Sequence, residues 1–155
     1  MENSKSLSGI VIEDMKVADL PGILAIETAS FKTPWSETLF YNEISKAISV
    51  SRVAKINGKV VGYLCANVII DEGHILDLAV HPEYRRLGVA SCMIKEMLDL
   101  MKDNNCRSVF LEVRISNEEA RKMYEKFGFG LLGTRKNYYV SPVEDAVVMV
   151  LRCVS

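Results

Sequence analysis

The stretch Leu76 to Met93, LDLAVHPEYRRLGVASCM, decides the fold of this chain. An apolar strand ends in a loop with two arginines, and Gly88 comes directly before an amphipathic helix. The first N–H groups of such a helix lack internal partners, and the aligned peptide dipoles attract anions to that end. Because glycine has no Cβ, a phosphate can approach this backbone closely. The pattern predicts a phosphate-binding loop; the alternative is an ordinary junction in which Arg85 and Arg86 are solvated charges.

Length and composition predict one domain. The 155 residues, 49% of them hydrophobic, suit a single core over residues 9–155 after a polar tail over residues 1–8. A net charge of -1 argues against an extended nucleic-acid surface. The apolar runs are shorter than the roughly 20 residues that a membrane helix needs, and no export leader is recognisable. We therefore expect neither nucleic acid nor membrane as a partner.

The cysteines predict a reducing environment. None forms a C-x-x-C pair, and each lies in an apolar segment, which favours buried thiols and a cytoplasmic location. They are Cys65, Cys92, Cys106 and Cys153.

Hydrophobic periodicity predicts an α/β domain built on one mixed sheet. The expected order is a strand, two helices, three strands, a helix, a strand, a helix and two strands. In this order only the crossover from His74 to Val113 need be parallel. The predicted strands are 10–15, 50–56, 59–70, 74–80, 109–113, 130–136 and 145–151. The first predicted helix is 17–29, the second is capped by Ser36, and the third begins at Val89. The fourth begins at an S-x-x-E capping box at 116–119 and ends at Gly128. Asn57-Gly58 is a strong hairpin signal between two of these strands.

Four motifs in register resemble the GNAT superfamily of acetyl-CoA-dependent N-acetyltransferases. They are F-x-x-PWS at 31–36, LAVHPEYRRLGVA at 78–90, LEVRISNEEARKMYEKFGF at 111–129 and RKNYY at 135–139. Within the superfamily they are most similar to enzymes that acetylate protein N-termini, the bacterial ribosomal-protein-alanine (RimI) type and its archaeal relatives. The resemblance runs from about Ile10 to Arg152. It implies the GNAT fold, a splayed mixed sheet of about seven strands with four helices.

The resemblance implies that acetyl-CoA lies between the fourth and fifth strands. The main chain of Leu78, Ala79 and Val80 would bind the pantetheine and the thioester carbonyl, with the Val80 N–H polarising that carbonyl. Side chains of this strand remain part of the core. The residues implied for the diphosphate are Arg85, Arg86, Leu87, Gly88, Val89, Ala90 and Ser91.

Glu112 lies on the opposite strand face from its apolar neighbours, and residue pattern alone favours an ion pair with Arg114. The resemblance instead implies a general base. Transfer from an α-amine to an ordinary glutamate is uphill by roughly 5 kcal/mol. Burial that raises the glutamate pKa or a water relay would overcome this, and we favour the relay. His74 is a rival or partner base, and its alternative is an exposed histidine at a strand end.

Asn117, Arg121 and Tyr124 are spaced to share one helical face. The resemblance implies that Asn117 binds the pantetheine and that Tyr124 protonates the departing thiolate. The alternative for Tyr124 is a place in the helix core.

The aromatic motifs imply two loops that clamp the first residues of a peptide substrate, and Trp35 has loop anchoring as an equal alternative. The clamp residues would be Phe31, Pro34, Trp35, Tyr138 and Tyr139. No metal spacing or acyl-enzyme motif is present in the sequence, which favours direct attack on acetyl-CoA.

The function implied by the resemblance is acetyl transfer to protein or peptide N-termini, including those of a ribosomal protein. Two alternatives stay open. One is acetylation of lysine side chains or small amines. The other is a CoA-binding regulatory module without turnover.

Overall fold

One seven-stranded mixed sheet organises the residues that this computed structural model describes, 7–153. The predicted tail over 1–8 therefore lies outside the described residues except for its last two positions. The strands are β1 Ile10–Asp14, β2 Arg52–Ile56, β3 Lys59–Ile69, β4 Glu72–Val80, β5 Ser108–Arg114, β6 Gly130–Val140 and β7 Val143–Arg152. The helices are α1 Leu20–Ser30, α2 Glu37–Ser45, α3 Val89–Asp103 and α4 Glu118–Lys126, with 3-10 turns at Val17–Asp19 and Pro82–Tyr84.

The sheet order is β1-β2-β3-β4-β5-β7-β6, which confirms the predicted architecture. Every neighbouring pair is antiparallel except β4 and β5. The parallel pair is joined by α3, as the single predicted crossover requires. No helix of residues 7–153 combines the length and apolar character needed to span a bilayer.

The Asn57-Gly58 hairpin forms as predicted. Both residues have positive φ, 51° and 78°, which matches the twist of the flanking strands. Ile56 pairs directly with Lys59 across the turn.

Helices cover both faces of the sheet. On one face, α3 buries Val89, Met93, Met97 and Met101 against the central strands. On the other, α1 and α2 enclose a smaller cluster that includes Ile23, Phe40 and Tyr63. The amphipathic pattern of α3 therefore determines which side of the sheet this helix occupies.

Two irregularities of β4 create the site. Cys65 pairs with Asp77 and Ala66 with Ile75, so Leu76 is an extra residue that turns Asp77 toward the α1 face. The ladder between β4 and β5 then ends at Ile75 and Leu111. Because both strands continue beyond that pair, the sheet splays, as the resemblance implied.

The predicted capping box at 116–119 is wrong. Asn117 is the N-cap of α4, and its Oδ1 accepts the Ala120 N–H at 3.1 Å. The Ser116 N–H instead donates to Glu144 Oε2 of β7 at 2.6 Å. A tertiary contact thus holds Ser116 outside the helix, and the adjacent asparagine takes the capping position.

Several predicted bounds also shift. The turn after β3 lies at Ile70 and Asp71, so that β4 begins at Glu72. β6 continues to Val140 and β7 begins at Val143, because the two strands pair up to the turn that joins them. Ser36 caps α2 as predicted, its Oγ accepting the Leu39 N–H at 3.2 Å.

Candidate active site

A cavity of about 820 Å³ opens where β4 and β5 separate. Its walls come from the loop of residues 31–36, the two splayed strands, the start of α4 and the turn between β6 and β7. Predicted site residues that line it together are Phe31, Pro34, Trp35, Leu78, Glu112, Asn117, Tyr124, Tyr138 and Tyr139. The geometry thus brings the predicted base, acid and peptide clamp to one space.

Glu112 lies one residue beyond Leu111, the last residue of β5 that pairs with β4, on the cavity wall. Its Oε2 is 2.8 Å from His74 Nε2, and its Oε1 is 3.6 Å from Arg135 Nη1. Its side chain is only 13% exposed. The parallel register aligns His74 with Phe110, which brings His74 within reach of Glu112 two residues further along the same face.

The surroundings of Glu112 lower its pKa below the ordinary value. The hydrogen bond with His74 is the largest cause; burial opposes it, and the charges of His74 and Arg135 support it. Glu112 is therefore ionised at neutral pH. Of the two routes considered from sequence, this environment does not favour a raised glutamate pKa and is consistent with the water relay.

The ion pair of Glu112 with Arg114, which the residue pattern alone favours, does not form. Arg114 Nη1 lies 3.2 Å from Glu144 Oε1, and its guanidinium stacks on the Tyr139 ring at 4.3 Å. Arg114 thereby holds the predicted clamp residue Tyr139, and the Glu112 carboxylate contacts His74 and Arg135 instead.

His74 also faces a second cavity of about 280 Å³, which Glu112 and Arg135 line as well. With 38% of its side chain exposed, His74 is open to solvent on this side. Glu112 thus borders both cavities, and the pair has a route by which a proton can reach water.

The main chain of β4 faces the splay at alternate residues. The His81 N–H donates to the Val61 oxygen at 2.8 Å, and this bond shows which residues of β4 direct their main-chain groups toward β3. In an antiparallel ladder these are every second residue. By that alternation Leu78 and Val80 direct their N–H and C=O groups away from β3 and toward the gap. The Leu78 N–H is taken by Asp77 Oδ1 at 3.0 Å.

The predicted phosphate loop lies outside the lining of the large cavity. Gly88 is the N-cap of α3 with φ of 91°, and it has no side chain with which to cap the first-turn N–H groups. Arg86 also has positive φ, 64°. The first-turn N–H groups of α3 have no side-chain cap, so these residues fit a diphosphate.

Arg85 turns away from that helix start. Its Nε donates to the Val80 oxygen at 3.1 Å, and its Nη2 donates to Ser30 Oγ at 3.0 Å. Arg85 therefore links β4 to the end of α1 in this structure, whereas the sequence placed it around the diphosphate.

Tyr124 reaches the cavity from α4 and is buried, with 6% exposure. Its ring packs edge-on against Phe129 at 5.5 Å. Burial raises its pKa above the ordinary value, so the phenol remains protonated. Tyr124 therefore packs in the core and also reaches the cavity, so its position is compatible with either of the two roles considered from sequence.

The other members of the predicted helical face have local partners. Asn117 uses its Oδ1 as the helix cap, and Arg121 Nη1 donates to the Ile115 oxygen at 3.0 Å. Arg121 does not line the cavity.

The two predicted clamp loops meet across the cavity. Thr33 Oγ1 donates to the Ser141 oxygen at 3.4 Å. Trp35 packs on Phe40 at 5.2 Å and also lines the cavity, so it both anchors the loop and forms the wall. Arg135 lies over the Tyr138 ring at 5.3 Å.

Among the residues that line either cavity, sequence reasoning missed the charged residues Glu27, Asp77 and Arg135. Arg135 belongs to the RKNYY motif but drew no assignment. The two acidic residues had a usable signal, because a carboxylate inside an apolar helix stripe or strand is costly unless it is paired or protonated.

Comparison with known proteins agrees with this geometry. A model of the acetyltransferase (GNAT) family matches residues 20–129. The ribosomal protein bS18-alanine N-acetyltransferase of Escherichia coli is 31% identical over 142 residues, which cover 90% of this chain and 95% of the relative.

Solved structures give the same result. The ribosomal-protein-S18-alanine N-acetyltransferase from Escherichia coli superposes with a TM-score of 0.88 at 30% identity, covering 94% of this chain and 95% of that one. Ard1 from Thermoplasma volcanium superposes with a TM-score of 0.89 at 28% identity, covering 95% and 99%. The resemblance inferred from the motifs is confirmed: the chain belongs to the acetyltransferase (GNAT) family.

Proposed function

We propose that this protein transfers acetyl from acetyl-CoA to the N-terminal α-amine of protein chains by direct attack. The observation that carries the proposal is the ionised Glu112, paired with His74, on the wall of a cavity between two splayed strands. A ribosomal protein is proposed as one substrate. This is supported by relatives about 30% identical whose names describe acetylation of an alanine of ribosomal protein S18.

The chain offers binding groups for the diphosphate, the pantetheine and the thioester of acetyl-CoA. The start of α3 would hold the diphosphate, with Arg86 supplying positive charge. Main-chain groups of Leu78 and Val80 that face the gap would bind the pantetheine and polarise the thioester carbonyl. When bound, acetyl-CoA supplies the activated acetyl group.

Glu112 and His74 would accept the proton of the attacking amine through a water. The nitrogen forms a bond to the acetyl carbon as the carbon–sulfur bond breaks. Tyr124 would give its phenolic proton to the departing thiolate and recover one from solvent. Because Glu112 is held as an anion, it would orient that water toward the attacking amine.

The α-amine is the easier nucleophile for such a base. A lysine amine is about 2.4 pKa units more basic than an α-amine, and its deprotonation would cost roughly 3 kcal/mol more. The two aromatic loops, joined by Thr33 and Ser141, suit an extended peptide end. We also propose a cytoplasmic location, which the free thiols of all four cysteines support.

The test is incubation with acetyl-CoA and paired peptides, read by mass spectrometry. One peptide has a free N-terminus and no lysine; its partner has a blocked N-terminus and one lysine. We expect acetylation of the first, and preferential acetylation of the second would overturn the proposed substrate. Binding of acetyl-CoA without product from either peptide would indicate a regulatory module.

A further inference from the structure

A buried carboxylate joins the substrate loop to the sheet. Glu27 of α1 is 1% exposed, and its Oε2 accepts the Trp35 N–H at 2.9 Å. Its Oε1 accepts the hydroxyl of Tyr63 on β3. Glu27 thus connects α1, the 31–36 loop and β3 through two hydrogen bonds that it accepts.

Asp77 brings a second carboxyl group to the same place. The extra residue Leu76 turns Asp77 toward the α1 face, where its Oδ1 accepts the Leu78 N–H. Its Oδ2 is buried and accepts no hydrogen bond from any residue between 7 and 153. Both Asp77 and Glu27 line the large cavity.

A single proton on Asp77 would give its buried Oδ2 a hydrogen-bond partner. Two carboxylates cannot hydrogen-bond each other, whereas a protonated Asp77 Oδ2 can donate to Glu27. Burial is the main cause that raises the pKa of Asp77 to about 9, with the hydrogen bond and charge of Glu27 next. At neutral pH Asp77 therefore keeps its proton and can donate it to Glu27.

Three titratable groups beside the pair are neutral at pH 7. They are Tyr63 and Cys65 of β3 and Tyr124 of α4, and burial raises the pKa of each. Glu43 of α2 acts on Cys65 and is paired with Lys46. Within the described part of the chain, no lysine or arginine forms an ion pair with Glu27 or Asp77.

We propose that Asp77 and Glu27 share one proton, and that this carboxyl pair positions the 31–36 loop against β4 for peptide binding. Asp77 is thus a positioning residue that acts through Glu27 and the Trp35 main chain. Loss of the proton leaves two close negative charges, whose repulsion displaces the loop from β4. The consequence for peptide binding rests on the proposed function; the shared proton does not.

The sole tryptophan of the chain, Trp35, reports the loop position without any assay of activity. Its fluorescence, titrated from pH 7 to 10, should show a transition near pH 9 in the wild type. The isosteric Asp77→Asn keeps a permanent donor to Glu27 and should lack that transition. The variant has the same tyrosines, so their ionisation cancels in the comparison. An identical transition in both proteins, or none in the wild type, would overturn the proposal.

Peptide kinetics test the consequence. We expect the loop to be held correctly only while the proton is present. The peptide KM of the wild type should then rise about fourfold by pH 9.5, relative to that of Asp77→Asn at the same pH. The KM for acetyl-CoA should show no such relative change. Equal pH dependence of peptide KM in both proteins would remove the positioning role.

A measurement on the wild type alone guards against a variant that does not fold. Infrared spectra at pH 7.5 should contain the carbonyl stretch of a protonated carboxyl group, which disappears by pH 10. Absence of this band at pH 7.5 would refute the shared proton. A protein with the band and the fluorescence transition but no activity on peptides would instead contradict the proposed function.

Discussion

Ile75 of β4 and Leu111 of β5 are the last residues that these two strands pair, although both strands continue. Glu112 follows directly, so the residue that leaves the ladder is also the one that meets His74. The end of this pairing opens the cavity and sets the position of the proposed base relative to the main chain of Leu78.

Glu112→Gln should lower turnover by about 10²- to 10⁴-fold, the usual contribution of a general base. Affinity for acetyl-CoA should change little, because the phosphate loop is separate from this cavity wall. Steady-state kinetics and a binding titration measure the two effects. The exposed Glu125→Gln of α4 is the matched control, and unchanged turnover in Glu112→Gln would remove Glu112 from the mechanism.

His74 and Glu112 should act as one unit. His74→Gln alone should slow the reaction, but the double variant with Glu112→Gln should be about as slow as the slower single variant. A double-mutant cycle on turnover measures this coupling. Fully additive losses would show two independent roles.

The stability that Glu112 contributes should depend on pH. Its pKa is lowered by the His74 hydrogen bond, so its contribution is present above the unfolded pKa, near 4.3, and is lost as pH falls through the folded pKa. We expect Glu112→Gln to cost more free energy of unfolding at pH 6 than at pH 3, as measured in urea. An equal cost at both pH values would contradict the lowered pKa.

Tyr124→Phe should slow the chemical step and leave the KM for peptide nearly unchanged, because the ring packing on Phe129 is kept. Single-turnover kinetics across pH separate chemistry from product release. The exposed Tyr41→Phe of α2 serves as control. A wild-type rate and pH profile in Tyr124→Phe would exclude the acid role.

Gly88→Ala should weaken acetyl-CoA binding. At φ of 91° a side chain costs about 1–2 kcal/mol, and the new Cβ would also lie 3.3 Å from Leu7 Cδ1. Gly9→Ala is the matched control, since Gly9 has φ of 78° and open space around it. Both variants should lose stability, measured by thermal unfolding, but only Gly88→Ala should lose acetyl-CoA affinity by titration. Equal affinity in the two would place the diphosphate elsewhere.

Local signals made much of the molecule predictable. Asn57-Gly58 specified its hairpin because both positions tolerate positive φ, and the methionines of α3 specified the buried face through helical spacing. The capping box failed for a physical reason: Glu144, 28 residues away, binds the Ser116 N–H. A contact of that range is invisible to a four-residue pattern.

The sequence by itself determined the order of elements, the glycine at the start of α3 and the placement of Glu112 opposite its apolar neighbours, because each depends on residues adjacent in the chain. Only the tertiary structure decided that Glu112 pairs with His74, 38 residues away, and that Asp77 meets Glu27. Those contacts follow from the parallel register of β4 and β5 and from the extra residue Leu76. Strand register is fixed by the packing of the whole sheet, and a shift of one residue would reverse which side chains face the site.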